Sequence, residues 1–249
     1  MHRPTVPINA QTQLIHEVCR HLGSLDILEI SQDALESVRI IQLQRLARQI
    51  ETVIPGHFGH GERTAHYALL LAKHIGLDRQ QCLDLHYAAL LHDIGLLTLP
   101  GHLRDDTVPH SSHDYALLQS HPRDGAALLA AFSFLCEPAR LIAHHHERWD
   151  GAGYPYGLRG VYIPVGARLL AIADVFDTIA SRSTSWHTAL RALLASAGSQ
   201  FDPDLCSTFC AFLSEQDARQ QADDRALFNP STEAGPEAPC PAAATFRTC

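Results

Sequence analysis

Apolar residues recur at helical spacing along most of this chain, and they alternate with a period of two almost nowhere. Between residues 33 and 53, for example, Leu35, Val38, Ile41 and Leu46 approximate one face of a helix. Glycine and proline stand between the apolar segments, where they end helices. The pattern therefore predicts an all-α fold, a helical bundle in which strands are scarce.

The predicted helices are separated by segments without an apolar period. They span roughly residues 12–22, 33–53, 61–75, 79–93, 122–132, 138–146, 165–182, 186–196 and 204–215, and residues 96–112 are expected to be mostly loop. This organisation predicts an N-terminal helical segment of unassigned role over 1–54 and a main helical domain over 55–215. Residues 216–249 are rich in Pro and Ala and lack periodicity, which predicts a disordered tail.

The charge and the cysteines of the chain limit which partners and which cellular compartment are expected. The 249 residues carry a net charge of -8 and no basic run, so no nucleic-acid polymer is expected as a partner. The seven cysteines include no CxxC pair, which favours a reducing compartment. No apolar run reaches the ~18–20 residues of a membrane span, and the N-terminus has no signal core. We therefore expect a cytoplasmic protein without a membrane span.

Histidine is the unusual residue type, with 17 copies. His92 and Asp93 follow the apolar run Tyr87–Leu91 and precede Gly95, a helix-stopping residue. A carboxylate beside such a run is costly to bury unless it is paired or binds a cation. The pair therefore indicates a metal site, although a His at a helix C-terminus with a solvated Asp fits the same residues.

Asp174 gives a stronger indication because it lies inside an apolar helix, residues 169–180. An acidic residue in a buried position is rarely without a partner. Its partner is either a metal ion or an arginine, Arg168 or Arg182. Asp177 lies nearly one turn further on and is expected either to support a ligand or to be solvated.

Other histidines are ordinary one by one. His145 and His146 point about 100° apart on a helix, so both bind one ion only if the helix ends there. The glycine-rich loop 150–155 predicts that end. Its Tyr154 either stacks on a ligand or packs against the bundle. His60 and His121 are each compatible with a surface or core residue.

Taken in order, these residues resemble the HD-GYP family, a branch of the HD phosphohydrolases that cleave the bacterial second messenger cyclic di-GMP. The resemblance extends from about His60 to Pro203. It rests on five strings: His60-x-x-Arg63, His92-Asp93-Ile94-Gly95, His121 with Gly125, the block His145–Pro155, and Ile172-Ala173-Asp174-Val175-Phe176-Asp177.

The resemblance implies two divalent metal ions, iron or manganese, which suit imidazole and carboxylate ligands. It assigns the first ion to His60, His92, Asp93 and Asp174, and the second to His121, His145 and His146, with Asp93 as a bridge. His92 and Asp93 would be catalytic, and a hydroxide at the two-metal centre would attack phosphorus. Cyclic di-GMP would then give linear dinucleotide or GMP, with Tyr154, Gly153 and Arg182 as substrate contacts.

Three departures from the family pattern leave the activity open. Leu96 stands where the family has Lys, Gly56 stands where some members have a Glu for a third metal, and residues 181–187 lack the usual basic stretch. The alternative is a weakly active or inactive module that binds a cyclic dinucleotide and signals through a partner protein. A hydrolase for another phosphorylated nucleotide is a third interpretation, against which the Gly-Tyr-Pro string argues.

Overall fold

The protein is all-α in a computed structural model that describes residues 8–26, 28, 31–105 and 109–228, with side chains from 11 to 219. The α-helices are α1 (Ile8–Asp26), α2 (Gln32–Glu51), α3 (His60–His74), α4 (Arg79–Leu91), α5 (Ser112–Leu118), α6 (His121–Leu129), α7 (Cys136–Ala143), α8 (Val165–Arg182), α9 (His187–Ala195) and α10 (Pro203–Phe228). Short 3₁₀ helices span Ile94–Thr98, Gly101–Arg104, Ser133–Leu135 and Gly160–Tyr162. Within these described ranges there is no strand, so the predicted fold class is confirmed.

Two elements differ from the expected organisation. Helix α5 lies between the expected loop, residues 96–112, and the helix expected from residue 122, where no helix was predicted. It begins with a reciprocal cap in which Ser111 and Asp114 each accept the other's backbone N–H. None of its residues is buried, so it has no apolar face from which the sequence could have predicted a helix. Helix α10 continues past residue 215 to Phe228, and the rest of the expected tail, residues 229–249, lies outside the described residues.

The chain divides into two compact units, Met1–Cys210 and Ala211–Cys249, and the site lies in the first. In that unit α3 packs against α4 and α8. Ala65, Ala68 and Ala72 are at most 2% exposed, so the contact face of α3 is built from short side chains. Such a face lets the neighbouring helices come close and brings their ends to one region.

The N-terminal segment packs on the main domain. Helix α2 contacts α3 and α4, and its Leu43, Leu46 and Ile50 are at most 3% exposed. In α1, the Gln11 side-chain amide donates to the carbonyl oxygens of Leu97 (2.5 Å) and Leu99 (3.1 Å). Both contacts lie within the first compact unit. No helix of the described residues is long and apolar enough to cross a membrane.

Candidate metal centre

The structure brings together all seven side chains that the sequence predicts as metal ligands. Most stand at helix ends: His60 opens α3, His92 and Asp93 follow α4, and His121 opens α6. The others are His145 and His146, which follow α7, and Asp174, which lies within α8. Because α7 ends at Ala143, the two adjacent histidines are free of helical geometry, as their predicted function requires.

Four of these residues form a group that we call the carboxylate half: His60, His92, Asp93 and Asp174. Nε2 of His60 lies 3.1 Å from Oδ1 of Asp174, and Nε2 of His92 lies 3.9 Å from the same oxygen. Ligand atoms of His60, His92 and Asp93 all lie within 4.8 Å of one another. These spacings suit donors around a common cation.

The remaining three residues, His121, His145 and His146, form the imidazole half. Their ligand atoms also lie within 4.8 Å of one another. Burial lowers the pKa of His121, lowers that of His145 well below its ordinary value, and lowers that of His146 to about 3. All three rings are therefore neutral near pH 7, which is the form that binds a metal ion.

Asp93 faces both halves. Its Oδ2 lies 3.4 Å from Nε2 of His92, and its Oδ1 lies 3.8 Å from Nε2 of His121. One carboxylate thus presents one oxygen to each half. This geometry matches the bridging position that the family resemblance predicts for Asp93.

Three buried imidazole nitrogens test whether metal ions fit this site. In His92, His121 and His145, Nδ1 donates to a backbone carbonyl, which can only accept. The acceptors are Ala89 (2.8 Å), Leu118 (2.7 Å) and Ile142 (2.7 Å). In the neutral ring each Nε2 is then an acceptor, and none has a hydrogen-bond partner in the part of the chain that the structure describes. Leaving such groups unsatisfied costs about 1–3 kcal/mol each, whereas a divalent cation satisfies them. The residues therefore fit divalent metal ions.

His60 differs from these three because a carboxylate, not a carbonyl, holds its Nδ1. That nitrogen lies 2.8 Å from Oδ2 of Asp177. Burial by itself lowers the pKa of His60, but the hydrogen bonds to Asp174 and Asp177 outweigh burial and raise it to about 10. Without metal, His60 therefore carries a proton between two carboxylates, and a cation that binds its Nε2 displaces that proton.

Asp177 is buried and acts on the site through His60. Besides His60, it accepts hydrogen bonds from Nε of Arg63 at 2.7 Å and from Nη2 of Arg63 at 3.0 Å. Its carboxylate is thereby oriented from two sides, and it in turn orients the His60 ring. Of the two expectations for Asp177, support of a ligand agrees with this contact, and solvation does not.

Two glycines explain how α4 and α6 bring their ligands together. A Cβ built on Gly95 would collide with the backbone carbonyl of His121 and with the amide nitrogen of Gly125. A Cβ on Gly125 would in turn lie 3.0 Å from the amide nitrogen of Gly95. Only glycine allows this approach of the two backbones, which sets Asp93 beside His121.

The loop after α7 is tied to the site by a buried carboxylate. Glu147 is 4% exposed and accepts the backbone N–H groups of Tyr156 (2.7 Å) and Leu158 (2.9 Å). A Cβ on Gly153 would collide with the backbone of Glu147 and Arg148, so close packing requires this glycine. The sequence analysis did not identify Glu147, whose two backbone N–H donors are recognisable only in the folded loop.

Tyr154 lies against the centre. Its ring centroid is 5.0 Å from that of His146, with 36° between the planes. Burial raises its pKa, so its hydroxyl stays protonated and able to donate at neutral pH. This position agrees with packing against the bundle. It also agrees with contact to a ligand, because Tyr154 lines two cavities.

Arg168 and Arg182 were the two arginines that the sequence offered as partners of Asp174 in place of a metal ion. Arg168 pairs instead with Asp202, with 2.6 Å between Nη1 and Oδ2. Arg182 stands in the last turn of α8, about 12 Å along the helix axis from Asp174. The partner that lies next to Asp174 is His60. Leu96, where the family has Lys, is 7% exposed and forms part of the core.

His57 is a further residue at the site that the sequence analysis missed. It lies between α2 and α3, and its Nε2 is 3.8 Å from Oδ2 of Asp93. The string Pro55-Gly56-His57-Phe58-Gly59 is typical of an ordinary turn and carries no periodic signal. No local sequence signal could have identified this residue, since Asp93 is distant in the chain.

Comparisons with known proteins identify the family of this chain and proteins with a similar fold. The sequence pattern of the HD domain family matches residues 44–205. The chain is 35% identical over 189 residues to the cyclic di-GMP phosphodiesterase response regulator RpfG of Xanthomonas campestris, covering 71% of this chain and 50% of that protein. It is 32% identical over 167 residues to the 3′3′-cGAMP-specific phosphodiesterase 2 of Vibrio cholerae, covering 64% and 32%. The chain thus spans at most half the length of these two curated relatives.

Among solved structures, an HD-GYP-type protein of Bdellovibrio bacteriovorus, Bd1817, superposes with a TM-score of 0.57 at 18% identity. The alignment covers 85% of this chain and 75% of that one. A cyclic GMP-AMP-specific phosphodiesterase of Vibrio cholerae superposes with a TM-score of 0.55 at 23% identity, covering 69% and 49%. At these identities the likeness concerns the fold.

Proposed function

The chain belongs to the HD domain family, in the HD-GYP branch that its motifs predict, and on that premise we propose that it is a metal-dependent phosphodiesterase of cyclic di-GMP. The observation that carries the proposal is the set of buried Nε2 atoms on His92, His121 and His145. Those of His92 and His121 face Asp93, and that of His92 also faces Asp174. Imidazole and carboxylate donors without thiolate suit iron or manganese.

We assign one divalent ion to each half of the centre, with Asp93 between them. Two ions contribute +4 and the two carboxylates of Asp93 and Asp174 contribute -2, so the loaded centre would attract a phosphodiester although the chain has a net charge of -8. The ions would supply an activated water and positive charge for the phosphoryl oxygens. The protein contributes fixed ligand orientation, through carbonyl acceptors for three imidazoles and through Asp177 for His60.

The cavities beside the centre suit a cyclic dinucleotide. One, of about 200 Å³, is lined by His145, His146, Tyr154 and Asp174, among others. The other, of about 700 Å³, is lined by Tyr154, Pro155 and Arg123, among others. Ligand sites commonly have volumes of ~300–1,000 Å³.

We place one phosphodiester at the centre and the remainder of the molecule in the larger cavity. Tyr154 stands at both cavities, so its ring is positioned to stack on a guanine, an interaction worth about 1–3 kcal/mol per base. The Arg123 guanidinium can bind the second phosphate or a guanine edge. Gly153 would act by allowing the loop to pack closely, and Arg182 remains a predicted contact from the end of α8.

The test is turnover of cyclic di-GMP by protein purified without oxygen and loaded with iron or manganese, followed by separation of products. We expect linear dinucleotide or GMP to form only with metal. A parallel assay with 3′3′-cGAMP addresses substrate choice, because relatives with each specificity are known. Absence of any product from either substrate, with metal content verified, would contradict the proposal.

A second candidate function is favoured by the burial of Leu96. The family's Lys at this position is replaced by a core residue, so this chain lacks a cation there. The alternative is a module that binds the cyclic dinucleotide and signals through a partner protein while hydrolysing it slowly. A binding titration run beside the turnover assay separates the two, since saturable binding without product favours the signalling module.

A further inference from the structure

We propose that His57 is an additional metal ligand of the carboxylate half, supplied by the loop between α2 and α3. The inference rests on the proposed function in one respect, since it needs a divalent ion in that half. His57 is not among the seven ligands that the family resemblance assigns. It lies next to Asp93, in the loop between α2 and α3.

The first argument is distance. Nε2 of His57 lies 3.8 Å from Oδ2 of Asp93, the oxygen that also faces His92. The corresponding distances from Asp93 are 3.4 Å to His92 and 3.8 Å to His121, both predicted ligands. Two donors bound at ~2.1 Å to one ion lie at most about 4.2 Å apart. Nε2 of His57 and Oδ2 of Asp93 are therefore close enough to bind the same ion.

The second argument is the tautomer. Nδ1 of His57 lies 3.1 Å from the carbonyl oxygen of Pro55, to which it can only donate. His92, His121 and His145 use the same arrangement, with Nδ1 on a backbone carbonyl and Nε2 towards the centre. In the neutral ring, Nε2 of His57 is then an acceptor that faces a carboxylate oxygen. Two acceptors at this distance attract each other only through a cation between them.

The third argument is that the loop is held in place from several sides. The buried carboxylate of Glu51 accepts the N–H groups of Gly59 (2.6 Å) and Gly61 (2.8 Å). Nη1 of Arg63 donates to the carbonyl of Phe58 at 3.0 Å, while the rest of its guanidinium binds Asp177. A loop fixed at both ends positions its side chain with little loss of conformational entropy on binding.

The orientation of the ring agrees with a place in the same ligand set. The His57 ring packs edge-on against that of His60, with centroids 5.3 Å apart and 88° between the planes. The side chain is 21% exposed, so His57 would close the carboxylate half on its solvent side. The competing arrangement is a direct ion pair between imidazolium and Asp93, with no metal bond.

The experiment is Mn²⁺ binding to the chelator-stripped full chain, measured by calorimetry without substrate. It compares the unchanged protein with His57→Ala and with His66→Ala, an exposed histidine of α3 whose ring contacts Tyr67. We expect His57→Ala to weaken one of two Mn²⁺ sites by about 10-fold or more and His66→Ala to change neither. X-ray absorption should report one imidazole nitrogen fewer per pair of ions in His57→Ala.

A second variant tests whether the effect of His57→Ala arises from a disturbed loop rather than from the lost imidazole. His57→Gln keeps a polar side chain of similar reach, and we expect it to lose the same imidazole signal while the circular-dichroism melting curve of the metal-free protein is unchanged. If His57→Ala and His57→Gln bind two ions with native affinity and native imidazole count, the inference is wrong and the proposed function stands. If the unchanged chain binds no Mn²⁺, the proposed function and the inference fail together.

Discussion

The two halves of the centre hold their ligands by different means. In the imidazole half, burial keeps His121, His145 and His146 neutral. In the carboxylate half, His60 lies between Asp174 and Asp177, and its pKa is raised to about 10. One half thus presents desolvated neutral donors, and the other presents a charged cluster that already contains a proton.

This difference explains how one centre can bind two identical ions with different affinities and different pH dependence. A cation entering the imidazole half meets Nε2 of His121 and of His145, neither of which has a hydrogen-bond partner among the described residues, so no partner of these two atoms has to be displaced. A cation entering the carboxylate half gains stronger electrostatic attraction but must release the proton of His60. We therefore expect the two sites to respond differently to substitution and to pH.

The largest expected effect comes from Asp93→Ala, because Asp93 is the residue that faces both halves. We expect loss of both ions and a fall in turnover of at least about 1,000-fold. Metal analysis after gel filtration and a cyclic di-GMP assay measure the two effects. Asp84→Ala, which removes a buried carboxylate of α4, is the control and should retain its metal. Retention of both ions by Asp93→Ala would contradict the bridging position.

Next in size are substitutions confined to one half. We expect His60→Ala to weaken the site of the carboxylate half by more than about 100-fold and to leave the other ion bound, with the reverse for His145→Ala. Each removes one donor from one half, as the spacings of the two groups indicate. Calorimetric titration with Mn²⁺ resolves the two sites. Equal loss of both ions in either variant would mean that the halves form one cooperative site.

A smaller effect is expected from Asp177→Asn, because Asp177 acts on the centre through His60. Loss of its negative charge removes the support for the His60 ring, and we expect about 10–100-fold weaker binding in the carboxylate half alone. Asp202→Asn is a matched control, since Asp202 is also buried and also pairs with an arginine, Arg168. Both variants lose a buried ion pair, but only Asp177→Asn should change metal affinity.

The smallest effect concerns protons. At pH 7 His60 is protonated in the metal-free protein, because its pKa is raised to about 10. Binding in the carboxylate half should therefore release about one proton, and its affinity should rise about 10-fold between pH 7 and pH 8. Binding in the imidazole half should release none near pH 7. Calorimetry in buffers of different ionisation enthalpy measures both, and equal proton release at the two sites would contradict the comparison.

Much of the fold could be predicted from local pattern. Helix α8 has the predicted bounds, Val165–Arg182, because a long apolar segment after a proline leaves little choice of start or face. The residues by themselves indicated His92, Asp93 and Asp174, because a carboxylate beside or inside an apolar helix is costly to bury without a partner. The full set of seven ligands was implied by the resemblance to the HD-GYP family, since His60 and His121 are ordinary residues when taken singly. Helix α5 was not identifiable, since it is short and buries no residue.

The chain's own residues thus determined the helices, the types of ligand and their order, all of which follow from neighbours in sequence. The packing of helices determined the rest, because it brings together atoms that are distant along the chain. The close approach of Gly95 to Gly125, the ion pair of Arg63 with Asp177 and the position of His57 beside Asp93 are of this kind. The burial that lowers the pKa of His146 and the carboxylates that raise the pKa of His60 likewise arise only when the helices pack together.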